Sequence, residues 1–171
     1  MKNIVLVGFM GTGKSSVGEL LARMLKRKFV GTDERIEQRE KRSITEIFET
    51  SGEPYFRKAE KNVIREVASL DGMIIAAGGG AVIDEENVRN LKKNGIIVCL
   101  SATPEVICER TGKYKHRPLL NVADSVARIK ELLAARAPFY RTADYQIDTS
   151  GKSVARVAEE IVSLVGTDGA G

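Results

Sequence analysis

An α/β fold with a parallel sheet is what this 171-residue chain predicts, and three observations predict it. Short, continuously apolar runs rich in Ile and Val alternate with longer stretches of helical period. Such runs suit strands buried on both faces. The glycine-rich segment GFMGTGKS, residues 8–15, joins the first of these runs to the first helical stretch. Repeated strand–helix alternation implies right-handed crossovers, with helices covering both sides of the sheet.

Taken in order, strands are expected at NIVLVG (3–8), RKFVG (27–31, the weakest), MIIAA (73–77), IIVCL (96–100) and YQID (145–148). Helices are expected near 14–27, 33–41, 44–50, 53–70, 84–93, 104–110, 124–141 and 153–165. Ser43 followed by Glu46 reads as a capping box, with Ile44, Ile47 and Phe48 at helical spacing behind it. The stretch TGKYKHRPLLNV (111–122) lacks a clear period and carries Lys113, Lys115, His116 and Arg117. Aperiodic stretches of that length inside a domain are usually either functional or disordered, and this one is a candidate lid. No linker or repeat divides the chain, so residues 1–165 form one domain and GTDGAG (166–171) is expected to be a disordered tail.

Composition bounds the function classes. The chain is 43% hydrophobic and 29% charged, the balance of an ordinary globular protein. Its net charge of +4 permits an anionic ligand. Basic and acidic residues are interleaved, as in DERIEQREKR, so no nucleic-acid stripe is expected. Cys99 and Cys108 have no metal-ligand spacing and read as reduced thiols of a cytoplasmic protein. The apolar run after Lys2 is too short for a signal peptide, and none reaches membrane-spanning length.

GFMGTGKS matches G-x-x-x-x-G-K-[S/T] in the strand-to-helix context that gives the motif its meaning. Gly11, Thr12 and Gly13 let successive N–H groups converge on a phosphate at the positive end of the next helix. Lys14 supplies a point charge to the β- and γ-phosphates. The Ser15 hydroxyl suits Mg²⁺, and Ser16 follows it in the same turn. A nucleoside triphosphate site is therefore expected. No acid ends either of the runs at 73–77 and 96–100, and the guanine-reading NKxD pattern is absent. Those absences disfavour a motor or a switch GTPase and favour a small kinase.

Further residues carry two readings each. The triple glycine Gly78–Gly80 is either a plain turn or a backbone with unusual angles or a close-lying ligand. Arg136 falls on the apolar stripe of Val126, Ile129, Leu132 and Leu133, so it either snorkels or faces an anion in a cleft. Arg57 and Glu60, three apart, form either a surface pair or a posed guanidinium. Asp33, after KFVGT, is either a helix cap or a carboxylate held at a strand end for chemistry.

The phosphate loop, TDERIEQREKRSITEIFETSGEPYFRKAE, GGGAV, RPLL and RAPFYR, in that order over residues 4 to about 155, resemble the shikimate kinases. The resemblance implies a P-loop kinase like the nucleoside monophosphate kinases, with a five-stranded parallel sheet of order 2-3-1-4-5 and a mobile lid. It implies transfer of the γ-phosphoryl of ATP to the 3-hydroxyl of shikimate with Mg²⁺, on the route to chorismate and the aromatic amino acids. By resemblance, Asp33, Arg57, Gly79 and Arg136 form the shikimate site, with Glu60 posing Arg57 and Gly80 beside it. Lys14 and the lid residue Arg117 neutralise the transferring group, and Arg110 and Lys152 lie against ATP. Lys152 and Val154 stand where the family has an Arg-x-Pro segment, which implies looser cover of the adenine.

One departure concerns the metal. Shikimate kinases usually show Asp-x-Asp where this chain has Gly31-x-Asp33. The metal shell is then expected to rest on Ser15, phosphates and water, with weakened Mg²⁺ affinity. A monomer acting on shikimate and ATP is expected, without nucleic acid or membrane partners. The alternatives are a kinase of another small polyol acid such as gluconate, and a nucleotide-binding regulator without catalysis.

Overall fold

The computed structural model describes residues 1–112 and 125–167. Five strands, β1 (Asn3–Val7), β2 (Phe29–Gly31), β3 (Ile74–Ala76), β4 (Gly95–Ser101) and β5 (Tyr145–Asp148), pair in parallel in the order β2-β3-β1-β4-β5. This is the predicted sheet. β1 lies at its centre with every residue buried. Its alternation splits the core: Val5 and Val7 pack with Ile36, Ile64 and Ile129, whereas Ile4 and Leu6 pack with Leu21, Val157 and Ile161. Each such side chain contributes about 1.5–3 kcal/mol by leaving water. Asn3, the polar residue of β1, is satisfied: its amide donates to Leu70 O at 2.7 Å and accepts from Met73 N–H at 2.7 Å.

Helices α1 (Lys14–Leu25) and α7 (Val154–Thr167) cover the Leu6 face. The Val5 face carries α2 (Thr32–Glu40), α3 (Ile44–Ala68), α4 (Glu85–Lys93), α5 (Pro104–Gly112) and α6 (Ser125–Tyr140). The capping box forms as expected: Ser43 N–H donates to the Glu46 carboxylate at 2.7 Å, and Glu46 N–H donates to Ser43 Oγ at 3.2 Å. α3 joins the two helices expected at 44–50 and 53–70. They meet at Gly52, whose φ of 82° and ψ of 169° leave helical geometry, and Pro54 opens the second part.

Two boundaries are corrected. α5 continues through Thr111 and Gly112, which were expected to begin the lid; the Thr111 hydroxyl donates back to Ile107 O at 2.7 Å. The rest of the candidate lid, Arg117 included, lies outside the described residues. α7 likewise takes Gly166 and Thr167 from the expected tail, and residues 168–171 lie outside the described ones. Cys99 is buried and Cys108 half-buried, both as free thiols, and burial pushes Cys99 up to about 11. Among the described residues no helix is long and apolar enough to cross a membrane.

All five strands run the same way, so the loops after β1, β2, β3 and β5 gather along one edge of the sheet. In open parallel sheets, ligands bind beyond that carboxyl edge.

Candidate active site

The loop after β1 folds on itself before α1 begins. Gly11 and Gly13 take φ of 76° and 93°, the left-handed region that side chains disfavour, and Gly13 is the N-cap of α1. The buried Thr12 hydroxyl donates to Phe9 O at 2.8 Å. Lys14 Nζ donates to the carbonyls of Gly8 (2.7 Å) and Phe9 (3.0 Å), arching over the loop. Ser15 and Ser16 stand exposed in the first turn of α1. The result is a curled backbone at a helix N-terminus with one ammonium above it, suited to a polyphosphate.

This loop forms one wall of a cleft of about 870 Å³. Arg110, from α5, ties that wall to the loop after β5. Its guanidinium donates to Gly11 O (3.2 Å), Thr149 Oγ1 (3.0 Å) and Thr149 O (3.2 Å). The Thr149 hydroxyl in turn reaches the carbonyls of Ser101 (2.9 Å) and Thr12 (3.2 Å). Lys152 lines the same end and pairs with Glu160 at 2.7 Å.

The opposite wall is built around the glycines after β3. None of Gly78, Gly79 and Gly80 has a positive φ, so unusual backbone angles are not the reason for three glycines. Close approach is. A Cβ on Gly78 would stand 2.7 Å from Asp33 Oδ1 and 2.9 Å from Glu60 Oε2, and one on Gly80 would stand 2.7 Å from Arg57 Nη2. At Gly79 the nearest atom is Arg136 Nη1, at 3.5 Å. Asp33, Arg57, Glu60 and Arg136 thus converge on this short segment from α2, α3 and α6. Gly78 N–H donates to the buried Thr32 hydroxyl at 3.0 Å, which fixes the segment against the start of α2.

The pair expected at Arg57 and Glu60 forms at 2.8 Å, and Arg57 also reaches Glu53 at 3.3 Å. Glu60 is 1% exposed, and its Oε2 has no hydrogen-bond partner among the described residues. Burial lifts its carboxyl above the usual range; Arg57 opposes the shift, and Asp33 and Asp84 add to it. Arg57 itself is raised, burial being outweighed by Glu60 and Glu53. The Glu60 carboxylate is far more buried than the guanidinium, so burial decides its direction.

Arg136 is 9% exposed, its guanidinium 5.3 Å from the centre of the Phe9 ring. No carboxylate pairs with it among the described residues. One turn later, Tyr140 donates its hydroxyl to Gly79 O at 2.8 Å. Burial is the main cause that pushes this phenol up to about 12, against the opposing charge of Arg136.

A phosphate loop and a buried arginine unpaired with any acid of the described residues, in one cleft, describe a kinase with an anionic acceptor. Comparison with known proteins agrees: the family model described as shikimate kinase matches residues 10–165. The chain belongs to the shikimate kinase family. A shikimate kinase of Caldanaerobacter subterraneus subsp. tengcongensis is 51% identical over 162 residues, 95% of each chain. The solved structure of shikimate kinase from Acinetobacter baumannii in complex with shikimate superposes with a TM-score of 0.95 at 38% identity, covering 100% of this chain and 96% of that one. A gluconokinase from Sinorhizobium meliloti, at 18% identity and a TM-score of 0.57 over 95% of this chain and 90% of that one, shares the fold alone. As a shikimate kinase family member the chain is a small-molecule phosphotransferase of the P-loop class.

Of the expected site residues, Gly11, Thr12, Gly13, Lys14, Ser15, Ser16, Arg110 and Lys152 line the cleft on the side of the loop after β1, and Asp33, Arg57, Glu60, Gly79, Gly80 and Arg136 line it on the side of the glycines after β3. Thr32, Thr149, Tyr140 and Phe9 were not anticipated. Tyr140 follows Arg136 by four residues, a spacing that puts both on one helix face. Thr149 carries no local signal, because its partners are 39 and 137 residues away in sequence.

Proposed function

We propose that the chain transfers the γ-phosphoryl group of ATP to the 3-hydroxyl of shikimate. The observation that carries this reading is Arg136, a buried guanidinium with no acid partner among the described residues, facing a cleft that also holds a phosphate loop. A buried charge requires a counter-charge, and a small carboxylate acceptor supplies one. Arg57, posed by Glu60, closes on the same carboxylate, each charge-assisted bond contributing about 1.5–3 kcal/mol. The Gly79 and Gly80 backbone lets the ring lie between the two arginines with no side chain in the way.

Asp33 accepts from the acceptor hydroxyls, orients the attacking one and takes its proton. Lys14 leaves the carbonyls of Gly8 and Phe9 for the phosphates, and Arg117 adds charge to the transferring group from the lid. Positioning and charge neutralisation carry most of the rate enhancement in phosphoryl transfer.

The donors present fit Mg²⁺. Ser15 offers a hydroxyl at the start of α1, and among the described residues no group of three His, Cys, Asp or Glu forms a protein cage. Mg²⁺ is typically held by few protein oxygens together with phosphates and waters. Ser15 would hold it, and the bound ion would neutralise charge on the phosphates. The reading assigns the reaction to the cytoplasm, where ATP is available, and to a monomer, which sedimentation at several concentrations tests.

ATP consumption measured with shikimate, with gluconate and with no acceptor tests the function. Consumption with shikimate alone is expected. Equal consumption with gluconate would shift the assignment to a broader polyol-acid kinase, and none with any acceptor would favour a nucleotide-binding regulator.

A further inference from the structure

Residue 31 has no side chain, yet the volume that one would take is filled. A Cβ on Gly31 would overlap the carboxylate of Glu34, with Oε2 inside contact distance and Cδ at 2.7 Å. Glu34 belongs to the first turn of α2 and lines the same cleft as Lys14 and Ser15. A glutamate at the third helical position often folds back to accept the N-cap N–H, as Glu46 does with Ser43. Glu34 takes the fold-back pose without the bond: no hydrogen bond or ion pair holds it among the described residues.

The neighbouring acids are occupied. Glu37 accepts from Ile44 N–H at 2.9 Å, and Asp33 is packed against Gly78 beside Glu60. Glu34 is the uncommitted negative charge of that wall. An uncommitted acid facing a polyphosphate cradle repels the ligand unless a cation stands between them.

We propose that Glu34 is the carboxylate that receives the hydration shell of the nucleotide's divalent cation, delivered from one turn inside α2 into the volume left open by Gly31. The inference rests on the Mg²⁺·ATP reading above. It reverses the expectation of a weakened metal site: the carboxylate is present, on a longer arm from a different residue. It also gives Gly31 a purpose, since any side chain there would evict the Glu34 carboxylate.

Calorimetry with a non-hydrolysable ATP analogue, with and without Mg²⁺, tests this without turnover. Partners of a bound metal beyond its direct ligands typically change affinity by about 10–100-fold. Glu34→Gln is expected to cut the Mg²⁺-dependent gain in analogue affinity by about tenfold and to leave metal-free affinity unchanged or slightly improved. Gly31→Asp alone is expected to give no gain, because two carboxylates compete for one volume. The double variant, Gly31→Asp with Glu34→Ala, which empties the shared volume, is expected to recover Mg²⁺ dependence. A Glu34→Gln protein with wild-type Mg²⁺ dependence would overturn the proposal and leave Glu34 a space-filler over Gly31. Stronger Mg²⁺ binding in Gly31→Asp alone would overturn the shared-volume argument. Analogue binding without Mg²⁺ dependence in the unmodified chain would overturn the metal reading itself, a result distinct from failure of Glu34 alone.

Discussion

The Tyr140 hydroxyl holds the Gly79 carbonyl at 2.8 Å, one helical turn after Arg136 on α6. One helix therefore supplies both the buried guanidinium and the clamp that sets the glycine backbone beside it. Tyr140→Phe is expected to raise the shikimate KM several-fold, with a stability loss of about 1 kcal/mol, the typical net value of one hydrogen bond. Kinetics and urea unfolding on the same variant check both, and an unchanged KM would reduce Tyr140 to a packing residue.

Arg136→Lys keeps the charge but loses the planar fork that lies over Phe9 and pairs bidentately with a carboxylate. The expected result is a shikimate KM raised by about tenfold or more with ATP affinity near normal, since about 1.4 kcal/mol corresponds to tenfold. An unchanged KM would refute the two-arginine clamp.

The three glycines should respond differently to alanine. At Gly79 the nearest atom to a new methyl is 3.5 Å away, so Gly79→Ala is expected to fold normally and to lose shikimate affinity. At Gly78 the methyl would stand 2.7 Å from Asp33 Oδ1 and 2.9 Å from Glu60 Oε2. Gly78→Ala should therefore displace the Asp33 carboxylate and lower kcat more than Gly79→Ala does. Equal effects at both positions would count against this packing account.

Asp33→Asn should abolish phosphorylation while nucleotide binding persists, because Asp33 stands at the glycines after β3 and the phosphate loop forms the other wall. Turnover at the wild-type rate would remove the role assigned to Asp33.

Glu60 gives a pH signature. Its carboxyl is raised in the folded state, so the folded protein binds the proton more tightly than the unfolded chain. Stability from this group is present below the ordinary carboxyl value and falls as pH rises towards the raised value, then stays level. Urea unfolding from pH 4 upwards should show that fall, and Glu60→Gln should remove it. The same variant should raise the shikimate KM by releasing Arg57. A profile identical to wild type would place the titration elsewhere.

The central strands were legible because burial on both faces leaves short Ile and Val runs that no helix period explains. The break at Gly52 was legible as the gap between the helices expected at 44–50 and 53–70. The phosphate loop was legible because its chemistry is local to eight residues. Arg136 announced itself as a charge on an apolar stripe. The reason for Gly78–Gly80 was not legible, since what excludes a Cβ there is side chains from α2 and α3. Glu34 was hidden for the same reason. Its meaning depends on where a helix folds back over its own start, and sequence spacing alone leaves a free surface acid and a site residue looking alike.

The Thr149 contacts with Arg110 and Thr12 have a consequence for biogenesis. Everything that shapes the acceptor wall has left the ribosome once Tyr140 has. The nucleotide wall still waits for β5, an edge strand added last, to dock against β4 and bring Thr149 home. Domains synthesised from the N-terminus gain their final contacts last. A nascent chain stalled before β5 would carry a phosphate loop whose Arg110 can reach Gly11 but lacks its Thr149 partners, so that wall of the cleft would be finished only when synthesis is nearly complete.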